Sequence, residues 1–205
     1  WPEEPVLREQ LEWFQDQKLA LMVHWGMYNQ LGMVASWALS DEDAEWSRKT
    51  VDWTDDGELF KRQYRALNRA FDPVAFQPEE WAKMAKECGF RYLILTTKHH
   101  DGFCLWDTAY TEYKTTAEEC PFHTHKYADI VRAMFDAFRK EGLGIGAYFS
   151  KADWHCPDYW EKEKVFTGKT TRNPTYDPKG NPEAWERFRA FTRDQILELG
   201  KQYGR

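Results

Sequence analysis

The chain has 205 residues, enough for one sizeable domain, and a formal net charge of -6 at pH 7. No basic cluster of the kind that binds phosphate backbones is present, so a general nucleic-acid surface is excluded. No apolar run approaches the roughly 20 residues needed to cross a membrane, and the scattered Cys88, Cys104, Cys120 and Cys156 read as isolated thiols, not a zinc ribbon or a disulfide framework.

The chain opens Trp1-Pro2-Glu3-Glu4-Pro5, with neither an initiator methionine nor an apolar targeting core. The expectation is that something was removed upstream; localisation stays open. Residues 5–18 read as a first helix with Leu7, Leu11 and Phe14 on one face. Leu19-Ala20-Leu21-Met22-Val23 follows as an apolar strand that ends in His24-Trp25-Gly26. Residues 27–57 are a long irregular stretch containing Ser36-Trp37 and Glu45-Trp46, and a loop of that length in a compact domain is more often functional than idle. Residues 58–69 are helical in pattern, and Phe71-Asp72-Pro73 breaks the pattern. Pro78 opens the next helix, with Glu79 and Glu80 in its first turn, Trp81, Met84, Ala85 and Cys88 on its inner face, and Gly89 at its end.

A second strand begins near Tyr92. Leu93, Ile94 and Leu95 form a continuous apolar run, the pattern of a strand covered on both faces. It stops at Thr96 and is followed by Lys98-His99-His100-Asp101-Gly102, a cluster a core does not need, since each buried polar group left unpaired costs about 1–3 kcal/mol. Residues 102–125 are another long loop, with Trp106, Tyr110, His123 and His125. The helix over 126–141 has the cleanest stripe: Tyr127, Ile130, Val131, Met134, Phe135 and Phe138, closed by Gly142. A third strand, Gly144–Phe149, again runs into polar and aromatic residues: Ser150, Lys151, Asp153, Trp154 and His155. Residues 156–180 are irregular. Asn181-Pro182 caps a last helix with the stripe Trp185, Phe188, Thr192, Ile196, Leu199 and Tyr203.

Strand, long loop and helix alternate, which argues for a parallel α/β sheet. Every strand carries its polar chemistry at its C-terminal end, the active face of a (β/α)8 barrel and of an open doubly wound sheet alike. At roughly 50–70 residues per unit, eight units need about 400 residues. The expected fold is therefore the N-terminal portion of a (β/α)8 TIM-like barrel, about three βα units spanning 1–205 as a partial catalytic domain that lacks the later strands.

The run Thr96-Thr97-Lys98-His99-His100-Asp101-Gly102-Phe103-Cys104-Leu105-Trp106-Asp107 resembles the family 29 glycoside hydrolases, the α-L-fucosidases. So do His24-Trp25-Gly26-Met27-Tyr28, Glu45-Trp46, Phe71-Asp72-Pro73 with Glu80-Trp81-Ala82, and Gly146-Ala147-Tyr148-Phe149-Ser150, in the same order along the chain. The resemblance implies a retaining exo-glycosidase that releases terminal α-L-fucose, with a fucosylated oligosaccharide or glycoconjugate as partner and no metal or other cofactor. By the same resemblance His24 hydrogen-bonds the sugar, Glu45 and Trp46 line its pocket, His99 and His100 hold its hydroxyls, and Tyr148 reaches toward the nucleophile region.

Two departures stand out. Leu19-Ala20-Leu21-Met22 replaces the family's Phe-Gly-hydrophobic-Phe, so Met22 stands where a phenylalanine walls the C6 methyl of fucose. The nucleophilic aspartate of the fourth strand and the later acid/base glutamate lie beyond Arg205, so the isolated chain is expected to be inactive. The remainder of the barrel, from the same or a second polypeptide, is then an implied partner; a homo-oligomer is also open. Two rival readings are a catalytically incomplete sugar-binding scaffold and a metal-dependent barrel hydrolase drawing ligands from His99, His100, Asp101, His123, His125 and His155.

Overall fold

A computed structural model describes residues 2–51 and 54–204. Strands β1 (Ala20–Val23), β2 (Tyr92–Lys98) and β3 (Gly144–Phe149) form one parallel sheet in that order. Met22 pairs with Ile94 and Ile94 with Gly146; two residues further on Thr96 pairs with Tyr148. Side chains alternate between the faces of a strand, so this register stacks rows on one face: Ala20, Tyr92 and Gly144, then Met22, Ile94 and Gly146, then Thr96 and Tyr148 beside His24.

The opposite face carries the core. Leu93 and Leu95 are fully buried there, under helix α5 (Ile130–Lys140), with α4 (Pro78–Glu87) packed beside it. Asp129 caps α5 by accepting from the Arg132 N–H at 2.9 Å. The predicted stripe holds: Ile130, Val131, Met134, Phe135 and Phe138 are all buried.

Helix α1 (Pro5–Gln17) lies at the N-terminal end of the strands. Phe14 meets the Tyr92 ring edge-on at 5.5 Å, and the Trp13 indole fills the space over Gly144, where an added Cβ would come within 2.6 Å of it. That close approach explains the glycine. The expected α1 face does not close, however: Leu7, Leu11 and Phe14 remain 43–52% exposed. Nor is β2 covered on both faces, since Ile94 is only half-buried. On the same open face Met22 is 50% exposed.

The other differences are local. Strand β2 does not stop at Thr96 but continues through Lys98. The helix expected over 58–69 is α3 (Gly57–Arg65) followed by a 3-10 turn, Ala66–Ala70. In α4, Ala82 and Ala85 face inward, while Met84 and Cys88 are exposed. Within the stretch 27–57 the described residues form two 3-10 turns and the short helix α2 (Ala44–Ser47), and the loop 156–180 contains helix α6 (Lys162–Thr167). The last helix, α7 (Pro182–Tyr203), buries Phe188, Leu199 and Tyr203 but leaves Ile196 44% exposed. Its Glu198 accepts from the Trp106 Nε1–H and the Ala109 N–H, both at 2.9 Å, which ties α7 to the loop after β2.

Candidate functional site

Strand ends bring the expected histidines together. His24 follows β1, and its Nδ1 lies 2.8 Å from Thr96 Oγ1 on β2. His99 and His100 follow β2. The His24 and His99 rings are 4.9 Å apart, those of His99 and His100 4.7 Å, and the Tyr148 ring of β3 lies 6.0 Å from His24 and 6.2 Å from His99. Adjacent residues on a straight strand would point to opposite faces. Here both rings of the pair face the same aromatic surroundings because the chain turns at Gly102, at φ +81°. The Gly102 position excludes any side chain, since a Cβ would sit 2.4 Å from Asp153 Oδ1.

The polar run after β2 is buried and every charge in it is answered. Lys98, fully buried, donates to Asp153 Oδ2 at 2.8 Å and to Gln195 Oε1 at 3.0 Å, with its ammonium 4.4 Å from the centre of the Phe149 ring. Asp153 Oδ1 accepts from the backbone N–H groups of His155 and Cys156. Burial pushes the Asp153 carboxyl up, but Lys98 beside it outweighs that and holds it below its ordinary value. Asp101 accepts from the Tyr64 hydroxyl at 2.8 Å and from the Phe103 N–H at 3.1 Å. Burial nevertheless raises its carboxyl to about 6. These bonds lock the loop after β2 to α3, to the loop after β3 and to α7.

Burial lowers His24 and His100, and takes His99 down to about 2 with the neighbouring His100 and His24 adding to the effect. All three rings are therefore neutral at pH 7. Residues outside the expected set complete the walls. The Tyr28 ring lies 5.3 Å from His24 and 5.6 Å from His99. Trp37 lies 4.8 Å from His100, which stacks at 4.9 Å on Trp154, itself stacked at 4.8 Å on Trp160. The Arg172 guanidinium covers the Trp37 face at 4.5 Å and pairs with Asp43 at 2.5 Å. Tyr28 and Ser36-Trp37 lie in stretches the sequence already marks; Arg172 lies in the 156–180 loop, whose sequence carries no such signal.

Glu45 and Trp46 stand apart. Both are exposed on α2, and among the described residues neither contacts the His24, His99, His100 or Tyr148 rings. Trp46 Nε1–H donates to Asp43 Oδ1 at 3.1 Å, and through Asp43, Arg172 and Trp37 it is linked to the cluster. The other histidines are occupied elsewhere: His123 Nδ1 is 2.8 Å from the Cys120 carbonyl, His125 stacks on Phe122 at 4.6 Å, and His155 on Tyr113 at 3.9 Å. Among the described residues no group of three or more His, Cys, Asp or Glu side chains is arranged to hold a metal ion.

Three βα units gather neutral imidazoles, hydroxyls and aromatic faces at the strand C-termini, the face on which a barrel enzyme carries its site. The family model described as Alpha-L-fucosidase matches residues 2–205, and the chain belongs to that family. It is 28% identical over 189 residues to the tissue alpha-L-fucosidase of Rattus norvegicus, covering 92% of this chain and 39% of that protein. The alpha-L-fucosidase isoenzyme 1 of Paenibacillus thiaminolyticus superposes with a TM-score of 0.69 at 32% identity, over 96% of this chain and 41% of that one. A Bacteroides thetaiotaomicron alpha-L-fucosidase GH29, trapped as a covalent intermediate in complex with 2-fluoro-fucosyl fluoride, superposes with a TM-score of 0.66 at 29% identity, over 98% of this chain and 40% of that one. The chain thus spans about two fifths of the length of these relatives, and its three βα units are the N-terminal portion of a (β/α)8 TIM-like barrel.

Proposed function

We propose that this chain supplies the fucose-holding half of a retaining exo-glycosidase site that releases terminal α-L-fucose from glycoconjugates. The observation that carries the reading is the convergence of His24, His99, His100 and Tyr148 at the ends of consecutive parallel strands. Neutral imidazoles suit hydroxyl groups, since each can donate at one nitrogen and accept at the other. The aromatic rings around them suit the apolar face of a sugar. Met22 lies one row below His24 on the open face and would meet the C6 methyl. Glu45 and Trp46 join the pocket in this reading by closure of α2 over the sugar.

Retaining hydrolysis needs two carboxyl groups about 5–5.5 Å apart. Asp101 and Asp153, which flank the cluster, are buried and already engaged by Tyr64, Lys98 and backbone N–H groups. In this reading the nucleophile and the acid/base come from later strands, and the site is completed between the two halves. The test is hydrolysis of an aryl α-L-fucoside. A protein extended through the missing strands should turn it over, the 205-residue chain should not, and His99→Ala in the extended protein should lower kcat/KM at least tenfold, about 1.4 kcal/mol. Robust turnover by the short chain, or an unchanged rate in the His99 variant, overturns the assignment.

A further inference from the structure

The adjacent histidines differ in what holds their inner nitrogens. His100 Nδ1 lies 3.2 Å from the Ala152 carbonyl oxygen. A carbonyl only accepts, so Nδ1 of His100 carries the proton and its Nε2 is a bare acceptor. His99 Nδ1 instead faces the hydroxyl of Ser36 at 2.5 Å, and a hydroxyl can act either way. The second bond to Ser36 decides. The backbone N–H of Asp101 donates to Ser36 Oγ at 3.2 Å, and Ser36 is fully buried. With that bond made, the hydroxyl proton is left for Nδ1 of His99, the other hydrogen-bond partner of Ser36 Oγ among the described residues. Were Nδ1 protonated, Ser36 Oγ would accept from both N–H groups with its two lone pairs, and its own proton would be left buried and unpaired, which costs its full desolvation.

We infer that Ser36 and the Ala152 carbonyl fix His99 and His100 in opposite tautomers, so that His99 offers an Nε2–H donor and His100 an Nε2 lone pair to whatever occupies the site. Ser36 is a positioning residue in this arrangement; it acts through His99. Both rings are held neutral by burial, which keeps the two forms distinct near pH 7. Nε2 of His99 makes no hydrogen bond within the described chain, although the ring as a whole is only 3% exposed. It is not among the fully buried polar atoms left without a partner either, so it keeps access to the pocket.

The consequence for recognition rests on the fucose reading. The hydroxyl that meets His99 is read as an acceptor and the one that meets His100 as a donor, so the pair polarises two hydroxyls in opposite directions. His24 is not set in this way, because its partner Thr96 offers a hydroxyl that can donate or accept.

Long-range 1H–15N NMR on the histidine-labelled 205-residue chain, without sugar at pH 7.5, reads the tautomers directly. Expected is a pyrrole-type Nε2 with a pyridine-type Nδ1 for His99, and the reverse for His100, with assignments from His99→Gln and His100→Gln. In Ser36→Ala the His99 signals should move toward a mixture of tautomers while those of His100 stay. Thr115→Val, which removes another buried hydroxyl that bonds to neither ring, should change neither. A protonated Nδ1 on His99 in the parent chain, matching tautomers in the two rings, or an unchanged pattern in a folded Ser36→Ala overturns the proposal. Should Ser36→Ala fail to fold, the parent spectrum alone decides. No sugar is present, so the outcome is separate from that of the turnover test.

Discussion

At the scale of single residues, the loop after β2 is built on a glycine and on buried ionisable groups. Gly102 combines a left-handed φ of +81° with an approach to Asp153 that leaves no room for a Cβ. Gly102→Ala should therefore destabilise the chain by at least about 2 kcal/mol, measured by urea unfolding, because conformational strain and a steric clash add. Several histidines stay neutral when folded. Burial lowers His24, His99 and His100, and holds His155 at about 4. Below an unfolded pKa of about 6.5 the unfolded chain takes up protons there that the folded chain refuses, so stability falls as pH drops from 6.5 toward 4. Asp101 and Asp129 oppose this, since burial raises both and the folded state holds their protons more tightly. With more histidines than raised carboxyls the net trend is loss toward acid. His155→Phe keeps the stack on Tyr113 and removes one such group; it should flatten the stability–pH curve between pH 6 and 4 by about 1 kcal/mol per pH unit. An identical slope in parent and variant would show that His155 is not held neutral.

At the scale of elements, the helices on the covered face are set by local signals and locked by a few long-range bonds. Asp129 serves twice: it caps α5 through Arg132 N–H, and it accepts from the Tyr203 hydroxyl at 2.6 Å at the far end of α7. Arg139 of α5 donates to the Tyr203 carbonyl as well. Asp129→Ala should cost about 2 kcal/mol in equilibrium unfolding, a cap and a partly buried hydroxyl bond together. It should leave the histidine cluster intact, because α5 packs behind the sheet.

Which parts of each element were legible follows the same division. The α5 stripe was readable because all of its apolar positions meet the core. The α1 and α4 faces show stripes too, yet Leu7, Leu11, Phe14 and Met84 are exposed. Periodicity reports which residues share a face; it does not report whether anything covers that face. Polarity alone makes strand β2 too short, because Thr96, Thr97 and Lys98 look like a loop. All three are fully buried, each with a tertiary partner: His24, the Tyr148 carbonyl and Asp153.

At the scale of the molecule, the sheet has a helix-covered face and an open one. The open face runs from Trp13 and Phe14 on α1 through Met22 and Ile94 to the histidine cluster, and Ile196 and Leu197 of α7 are exposed as well. In a closed barrel the rows on this face are packed by side chains of the other strands. The 205-residue chain should bind a hydrophobic dye strongly, and the protein extended through the missing strands should not. Weak dye binding by the short chain would show that the open face collapses on itself. Among the described residues no helix is long and apolar enough to cross a membrane.

The amino-acid sequence by itself determined the order of strands and helices, the parallel arrangement, the histidines at the strand ends and the family likeness. These are properties of local pattern and of short runs such as His99-His100-Asp101-Gly102. Only the tertiary structure decided that Lys98 is a buried, paired charge and that Glu45 and Trp46 stand away from the cluster. It also decided that Ser36, 63 residues from His99 in sequence, is the group that orients it. The physical reason is that burial and hydrogen-bond direction depend on what lies across space from a side chain, and the partners here come from loops whose own sequences carry no periodic signal.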